Sequence, residues 1–294
     1  MPEDARKSFT LWVEITEACQ YKCRFCYNEW RSSPARLHRS MSLAVVPEVA
    51  ALARRLSEEF EVSVVLAGGD ASAHPHFVDI ATTLAASAPV VIVTHGADIA
   101  PAMADRFAAL GNVALQFSVP SHDEERYRFL TGGGRLDRVI EGALYASSAA
   151  IPLSISAVLT KVNVDDTGPM VHLARELEAD YVIFNRFLPS GRGVHYEEQF
   201  AISQEVFAEA LDEAVAVGRA RGLKVYASGA LPGVRNRKVA SPKMTVSVDG
   251  KVSICSSAAS ILGPVQEDGD SLLGKYYAFW NSTDRLAGCF CSTL

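Results

Sequence analysis

Residues 14–27 read Glu14-Ile-Thr-Glu-Ala-Cys19-Gln-Tyr-Lys-Cys23-Arg-Phe-Cys26-Tyr27. The three cysteines have the spacing C-x3-C-x2-C and follow a strand predicted at residues 9–15. A compact loop after a strand can wrap three thiolates around one iron–sulfur cluster, for which thiolates are strong ligands. Because a cube-shaped cluster has four irons, three cysteines leave one iron open to a chelating molecule. The stretch therefore predicts a cluster with an open coordination site.

Other interpretations of these cysteines are weaker. A structural zinc site usually takes four ligands in two separated pairs, and here the partner pair is distant. A redox C-x-x-C pair would not need Cys19. Buried apolar cysteines are reasonable for one scattered residue and poor for this triplet. Disulfides are rare in the cytosol, where clustered cysteines usually indicate metal or redox chemistry.

The composition is that of a soluble globular protein. The chain has 294 residues, of which 49% are hydrophobic and 21% charged, with a net charge of −6. No long basic run stands out, so nucleic acid is not an expected partner. The N-terminus lacks the layout of a signal peptide, and no apolar stretch approaches the ~20 residues needed to cross a bilayer. We expect a cytoplasmic protein that does not bind membranes.

Short apolar runs alternate with helical stretches along the chain. Strands are predicted at residues 9–15, 62–66, 90–94, 113–119, 153–159 and 181–187, with a short one at 223–227. Helices are predicted at residues 43–60, 76–86, 101–110, 136–148, 170–178 and 204–221. This spacing favours parallel strands with right-handed helical crossovers. The predicted fold is α/β, an open partial (β/α)6 barrel with its functional loops at the C-terminal strand ends.

The pattern changes near Pro232. Residues 245–248 and 251–255 are β-rich and flank Asp249-Gly250, which predicts a β-hairpin. The predicted division is a core domain at residues 1–231 and a small hairpin-containing module at residues 232–294. Three further cysteines, Cys255, Cys289 and Cys291, lie in this second part.

The cysteine stretch resembles the signature of the radical S-adenosylmethionine (SAM) superfamily, including the aromatic Phe25 before Cys26. The resemblance implies that Cys19, Cys23 and Cys26 bind a 4Fe–4S cluster whose open iron chelates the methionine part of SAM. It also implies that Phe25 lies near the SAM adenine. The cluster would then cleave SAM to a radical that removes hydrogen from an unactivated C–H bond, while the protein positions and shields this chemistry.

Gly68-Gly69-Asp70 ends the second predicted strand and resembles the Gly-Gly-Glu motif of the family, with Asp in place of Glu. Glycines let the backbone approach a ligand closely, and in the family this motif contacts the SAM amino group. Asp70 is one methylene shorter than Glu, so its own contact was left open. The following residues, 72–77, resemble the helix start that comes after the family motif. A tight strand-to-helix turn without a ligand is the alternative.

Other strand ends carry less specific candidates. Thr94-His95-Gly96 resembles a Thr-Asn-Gly turn of these enzymes. Ser118 follows a strand where relatives contact the ribose, and Ser156 and Arg186 lie on the next two strands. The sequence left open whether these residues touch SAM or are polar residues at the core edge. The histidines of these loops are candidates for substrate contacts or for solvated positions: His74, His76 and His95.

The hairpin that ends at Cys255 resembles the opening of a twitch or SPASM module, which carries auxiliary iron–sulfur clusters. Such modules have four or about seven cysteines, whereas this part of the chain has three: Cys255, Cys289 and Cys291. One alternative is an auxiliary cluster with an open iron or a non-cysteine ligand. In a second alternative, Cys255 is a catalytic thiol that donates a hydrogen atom to a substrate radical. The third is that all three are buried apolar residues.

The resemblance implies a reaction on a peptide, a protein side chain, a sugar or a cyclitol. Few residues precede the first strand, so we expect no leader-binding domain, which favours a small substrate. The leading hypothesis is epimerisation or dehydrogenation at a carbinol carbon of an aminoglycoside in antibiotic biosynthesis. The alternative is a peptide-modifying enzyme that installs a D-residue or a crosslink. A non-catalytic redox or sensing protein is disfavoured by Gly68-Gly69-Asp70. An external electron donor of flavodoxin or ferredoxin type is the expected partner.

Overall fold

The computed structural model describes residues 7–28, 38–227, 242–254 and 260–281. The strands β1 to β10 are, in chain order, Ser8–Thr16, Glu61–Gly68, Val90–Thr94, Val113–Ser118, Leu153–Leu159, Tyr181–Arg186, Lys224–Ala227, Lys243–Val246, Lys251–Ser253 and Ile261–Pro264. The helices α1 to α9 are Val46–Ser57, Phe77–Ala85, Pro101–Leu110, Glu124–Thr131, Leu136–Ser148, Thr167–Glu176, Glu197–Phe200, Gln204–Arg221 and Gly269–Asn281. None of the helices in these ranges has the length and apolar character needed to cross a membrane.

All ten strands belong to one sheet, in the order β10-β9-β8-β1-β2-β3-β4-β5-β6-β7. From β1 to β7 each strand pairs in parallel with the next one in the chain, through helical crossovers. β8 adds in parallel to the free edge of β1, and β9 and β10 follow as antiparallel strands. The sheet does not close, because β7 and β10 stand at its two ends. The predicted α/β partial barrel with a C-terminal hairpin is confirmed.

The two faces of the sheet differ in character. Side chains alternate along a strand, so every second residue points to the same side. On β1, Leu11 and Val13 are fully buried in the core that also contains Val49 and Leu56 of α1. Each such side chain stabilises the fold by about 1.5–3 kcal/mol. The intervening residues of the strands, on the side away from the helices, are largely half-buried or polar: Trp12, Glu14, Gln116, Ser118, Ser156 and Asn185.

The C-terminal hairpin has the predicted turn. Gly250 has φ +74°, a left-handed conformation that glycine adopts without steric cost, and Ser247 Oγ donates to Asp249 Oδ1 at 2.6 Å. The hairpin then pairs Val246 with Val252. The division predicted at residue 232 stays a prediction. β8, which lies beyond that position, is hydrogen-bonded to β1 in the core sheet.

Four elements were not predicted from the sequence: α4, α7, β10 and α9. The sequence does carry boundaries for α4, since Asp123 caps its start by accepting from Arg126 N at 2.8 Å and Gly132 ends it at φ +70°. α9 packs beneath the first strand, where the Tyr276 ring lies 5.5 Å from the Phe9 ring. The apolar face of α9 was not recognised in the sequence because small and polar residues surround this helix along the chain.

Candidate active site

The three N-terminal cysteines lie in the loop that follows β1, at the carboxyl end of the parallel strands. Cys19, Cys23 and Cys26 form no disulfide among the described residues, and all three are half-buried. The Tyr21 amide donates to Cys19 Sγ at 3.4 Å, so one thiol already has a backbone donor. Ligands of α/β barrels bind at this end of the strands. The loop is therefore placed where the fold puts its chemistry.

The loop after β6 holds the cysteine loop from one side. Arg192 Nη1 donates to the Cys23 carbonyl at 3.1 Å, and Gly193 N donates to the Cys26 carbonyl at 3.2 Å. Gly191 has φ +56°, and a Cβ built there would lie 2.6 Å from the Asn28 carbonyl oxygen. The close approach thus requires glycine. Sequence reasoning missed this contact, although a Gly-Arg-Gly run directly after a strand was an available signal.

The C-terminal end of α4 holds the same loop from another side. Lys22 N donates to the Thr131 carbonyl at 3.1 Å, and Arg24 N donates to the Leu130 carbonyl at 2.8 Å. The Arg24 guanidinium also lies 4.1 Å from the centre of the Phe129 ring, a cation–π distance. The backbone between the cysteines is therefore fixed by hydrogen bonds rather than left to solvent.

The Gly68-Gly69-Asp70 turn is joined to the cysteine loop through the end of β1. Gly69 N donates to the Thr16 carbonyl at 2.6 Å, and Asp70 N donates to the Ala18 carbonyl at 2.8 Å. A Cβ on Gly68, which has φ +143°, would lie 2.1 Å from the Thr16 carbonyl oxygen. Glycine at position 68 is what lets the second strand end against the first.

The Asp70 carboxylate is buried, with 4% of the residue exposed, and it bonds within the protein. Its oxygens accept from Ser72 N at 3.0 Å, Ser72 Oγ at 2.6 Å, Thr94 Oγ1 at 2.8 Å and His95 N at 2.7 Å. Three of these donors bond to Oδ1 and one bonds to Oδ2. The side chain thus ties the end of β2 to the end of β3.

His95 lies against the cysteine loop. Its ring stacks on Tyr21, with centroids 4.1 Å apart, and His95 Nε2 lies 3.2 Å from Gln20 Oε1. Ala97 N donates to His95 Nδ1 at 3.1 Å, which places the ring proton on Nε2 as the donor to Gln20. His95 therefore positions the loop residues that precede Cys23.

The other two candidate histidines lie further along the same region. His74 is 4% exposed, and its two ring nitrogens are engaged by the Met41 carbonyl at 3.0 Å and by His76 N at 3.0 Å. His76 is half-exposed beside Asp79, 3.8 Å away. Because both of its ring nitrogens are engaged, His74 fixes the turn in which it lies.

Three of the remaining candidates for SAM contacts lie on β4, β5 and β6, and the fourth, Phe25, lies in the cysteine loop. Ser118 pairs with Ser156 in the sheet register, and Ser156 Oγ accepts from Asn185 Nδ2 at 2.8 Å. Arg186 ends β6 and is half-buried. Phe25 packs against a small apolar cluster that includes Phe187, apart from the main core. The structure brings Ser118 and Ser156 together on one face, and the assignment of all these residues to SAM stays a prediction.

Glu14 is a buried carboxyl group on the non-helical face of β1. It is 7% exposed, and burial together with a smaller contribution from the nearby charge of Glu17 raises its pKa to about 7. Glu17 itself is paired with Arg39, whose Nη2 lies 2.7 Å from Glu17 Oε1. The sequence analysis assigned no role to Glu14. The signal that could have identified it is an acidic residue within an otherwise apolar strand.

No three His, Cys, Asp or Glu side chains of the described ranges converge on a point that could hold a single metal ion. The fit of an iron–sulfur cluster rests on the donor set, which is three cysteine thiols in one anchored loop. The three C-terminal cysteines of the sequence hypothesis lie outside the described residues: Cys255, Cys289 and Cys291.

An open parallel barrel with an anchored cysteine loop at its carboxyl end defines a class of α/β cluster enzymes. The sequence model of the Radical SAM superfamily matches residues 13–174, more than half of the chain. The chain belongs to the radical SAM superfamily. Its cofactors are a 4Fe–4S cluster and SAM, and it is an enzyme of that superfamily.

Curated relatives are more distant. A probable GTP 3′,8-cyclase of Sulfurisphaera tokodaii is 27% identical over 210 residues, which is 69% of this chain and 64% of that protein. The PqqA peptide cyclase of Streptomyces rochei is 27% identical over 173 residues, covering 58% of this chain and 46% of that protein. The chain thus spans less than two thirds of either relative.

Two groups of solved structures share the fold over nearly the whole chain. Streptococcus suis SuiB bound to S-adenosylmethionine has a TM-score of 0.75 at 16% identity, covering 96% of this chain and 71% of SuiB. Native anSMEcpe with bound AdoMet has a TM-score of 0.71 at 15% identity, covering 97% of this chain and 88% of that protein. At these identities the similarity establishes the fold alone.

Proposed function

We propose that this radical SAM enzyme modifies a carbon of a peptide substrate, by epimerisation or crosslinking. The observation that carries the proposal is the anchored cysteine loop above a half-exposed polar face of the sheet, in a fold similar to SuiB over 96% of the chain. A SuiB structure bound to its precursor peptide SuiA has a TM-score of 0.74. The Streptomyces rochei relative is likewise a peptide cyclase by name.

In this proposal Cys19, Cys23 and Cys26 hold the cluster, and SAM binds its open iron. The bound cofactors supply a carbon radical that removes a hydrogen atom from the substrate. The chain orients them, because Arg192 and Gly193 fix the carbonyls of Cys23 and Cys26.

The remaining contacts to SAM are assigned by position. Gly68 and Gly69 present backbone to the methionine part, since the Asp70 carboxylate is engaged inside the turn. Phe25, Ser118 and Arg186 are the candidate contacts to the adenosine part. An external electron donor of flavodoxin or ferredoxin type would reduce the cluster.

A second candidate is oxidation or epimerisation at a carbinol carbon of an aminoglycoside. The observation that favours it is Glu14, a carboxylate on the polar face that would pair with an ammonium group. In that reaction Cys255 returns hydrogen to the substrate radical, or binds an auxiliary cluster together with Cys289 and Cys291. None of the relatives and structures named above is an aminoglycoside enzyme, so the peptide is the first choice.

A nucleoside triphosphate is disfavoured as substrate, although relatives carry the name GTP 3′,8-cyclase. A triphosphate needs several cationic side chains around it. Of three arginines near the cysteine loop, Arg192 donates to the Cys23 carbonyl, Arg24 stacks on the Phe129 ring, and Arg186 ends β6. Glu14, on the same face as the expected substrate, would repel the phosphates.

The test uses reconstituted, anaerobic protein with SAM, a chemical reductant and one of three deuterated pools: mixed peptides, aminoglycosides or GTP. Transfer of deuterium from the peptide pool into 5′-deoxyadenosine is the expected result. Transfer from the aminoglycoside or GTP pool instead would refute the peptide proposal.

Two sets of variants serve as controls for that experiment. Replacing Cys19, Cys23 and Cys26 together with Ala should abolish SAM cleavage, and retained cleavage would refute the cluster assignment. Cys255→Ala separates the two roles proposed for this thiol. Loss of iron from the variant indicates a ligand, whereas normal iron with blocked hydrogen return indicates a donor.

A further inference from the structure

Three side chains on the polar face of the sheet lie together beside the cysteine loop. Trp12 on β1 pairs directly with Thr245 on β8, so both side chains point to the same face. Glu14 follows two residues later on that face and pairs with Ala67, the residue before Gly68. The three side chains therefore lie next to the Gly68-Gly69 turn, on the side of the sheet interior. A substrate must lie in this region to reach the cofactors.

Two polar atoms of this group have no hydrogen-bond partner. Trp12 Nε1 and Thr245 Oγ1 are both buried and unpaired within the part of the chain that the structure describes. Thr245 is only 2% exposed. Buried polar atoms without partners are rare, because each loses its water without a replacement. Two of them side by side indicate a place where a ligand supplies the missing partners.

Glu14 adds an acceptor to the same face. Nine tenths of its surface is buried, and no described hydrogen-bond donor offsets the effect of burial on its carboxyl group. The three side chains thus offer an N–H donor, a carboxylate acceptor and a hydroxyl that can do either.

We propose that Trp12, Glu14 and Thr245 form a subsite that binds the main chain of one extended residue of the substrate. The indole N–H donates to the carbonyl of that residue, the Glu14 carboxylate accepts from its N–H, and the Thr245 hydroxyl completes the set. This inference rests on the proposed peptide substrate and specifies how the chain holds it.

Other ligand chemistries satisfy fewer of these groups. An ammonium group carries only donors, so it pairs with Glu14 and leaves the Trp12 indole N–H without an acceptor. A phosphate or carboxylate carries acceptors, but the ionised Glu14 carboxylate, which prevails above about pH 7, repels it. The main chain of an extended residue is complementary to all three side chains, because the C=O and N–H of that residue point to the same side.

The test follows the Trp12 indole ¹H–¹⁵N resonance in the SAM-bound holoenzyme with an oxidised cluster. The resonance is assigned by its loss in Trp12→Phe. The probes are N-acetylglycine N-methylamide, methylammonium chloride and sodium acetate. We expect the capped glycine alone to move the indole proton downfield, as it gains an acceptor.

Variants separate a binding role from a structural one. Thr245→Val should weaken binding of the capped glycine by about tenfold, one lost hydrogen bond, without lowering the melting temperature. Thr10→Val is the matched control, because Thr10 lies on the same face of β1 one step further from the cysteine loop; it should keep wild-type binding. A lower melting temperature of Thr245→Val with unchanged binding would overturn the proposal in favour of a structural hydroxyl.

The probes also distinguish this inference from the proposed function. An indole shift with methylammonium and none with the capped glycine would overturn the main-chain subsite and favour an amine substrate. No shift with any probe would overturn the subsite altogether. The SAM-cleavage assay is read separately, so failure of the radical reaction leaves the indole titration to decide the subsite.

Discussion

Gly68 and Thr16 approach each other so closely that a single methyl group on Gly68 would lie 2.1 Å from the Thr16 carbonyl oxygen. No real Cβ contact is that short, so any other residue at position 68 must displace the end of β1 or of β2. Because the cysteine loop begins three residues after Thr16, this backbone contact sets where the loop starts.

Gly68→Ala should therefore destabilise the fold by at least about 3 kcal/mol, the sum of the steric overlap and the backbone strain. Iron binding should fall with it. Gly111→Ala is the matched control, because Gly111 also has positive φ but nothing within 4 Å of its added Cβ. That control should cost about 1–2 kcal/mol of strain alone. Equal losses in urea unfolding would contradict the steric explanation.

Gly191→Ala should lower the iron content of the reconstituted protein with a smaller effect on the melting temperature. The added methyl would push against the Asn28 carbonyl, 2.6 Å away, and shift the loop that holds the Cys26 carbonyl. Gly222→Ala has a similar φ, +69° against +56°, but open space around the new methyl. Iron and sulfide analysis should therefore separate the two variants, and equal iron content would speak against a role for the loop after β6.

Asp70→Asn should weaken the joint between β2 and β3 by about 1–3 kcal/mol. The new amide group must face one of the present donors, for example His95 N, and a donor facing a donor leaves both unsatisfied. Asp79→Asn, at a largely exposed carboxylate, is the control. The measurement is the SAM dissociation constant together with the unfolding midpoint. Unchanged SAM binding would mean that the turn tolerates a loss of one acceptor.

Glu14→Gln should change how stability depends on pH. Burial raises the pKa of Glu14 from 4.5 to about 7, so between these values the folded chain binds more protons than the unfolded chain. Stability from this group therefore falls as the pH rises through that window, by up to about 3 kcal/mol. The Gln variant lacks this loss: it should match the wild type near pH 4 and exceed it at pH 8. Glu58→Gln, at an exposed residue, should leave the profile unchanged, and parallel profiles for wild type and Glu14→Gln would contradict the prediction.

The sequence predicted the barrel because its strands are short, apolar and regularly separated by helices with clear periodicity. The predicted bounds of β3 and α8, for example, are those of the structure. The helix α4 was missed because half of its eight residues are charged and the run is too short to show an apolar period, so its Asp123 cap and Gly132 end are the signals that identify it.

The sequence predicted the cysteine ligands of the candidate site, but not the contacts that hold the cysteine loop in place. The cysteine spacing can be recognised within one short stretch of sequence, whereas the contacts of Arg192 and Gly193 join loops far apart in the chain. The bonding of Asp70 could not be derived either, because its partners Thr94 and His95 become neighbours only once β3 lies beside β2. The pairing of Trp12 with Thr245 depends on β8 joining β1, which no sequence period indicates.

That pairing has a consequence for how the protein is made. β1 is an interior strand of the finished sheet, yet the partner for one of its edges, β8, is synthesised only after β2 to β7. Until then the first strand keeps an open edge, a surface that other chains can join. Insertion of the cluster at the loop that follows should accordingly come after the synthesis of β8, since the strand leading into it is only then held on both sides.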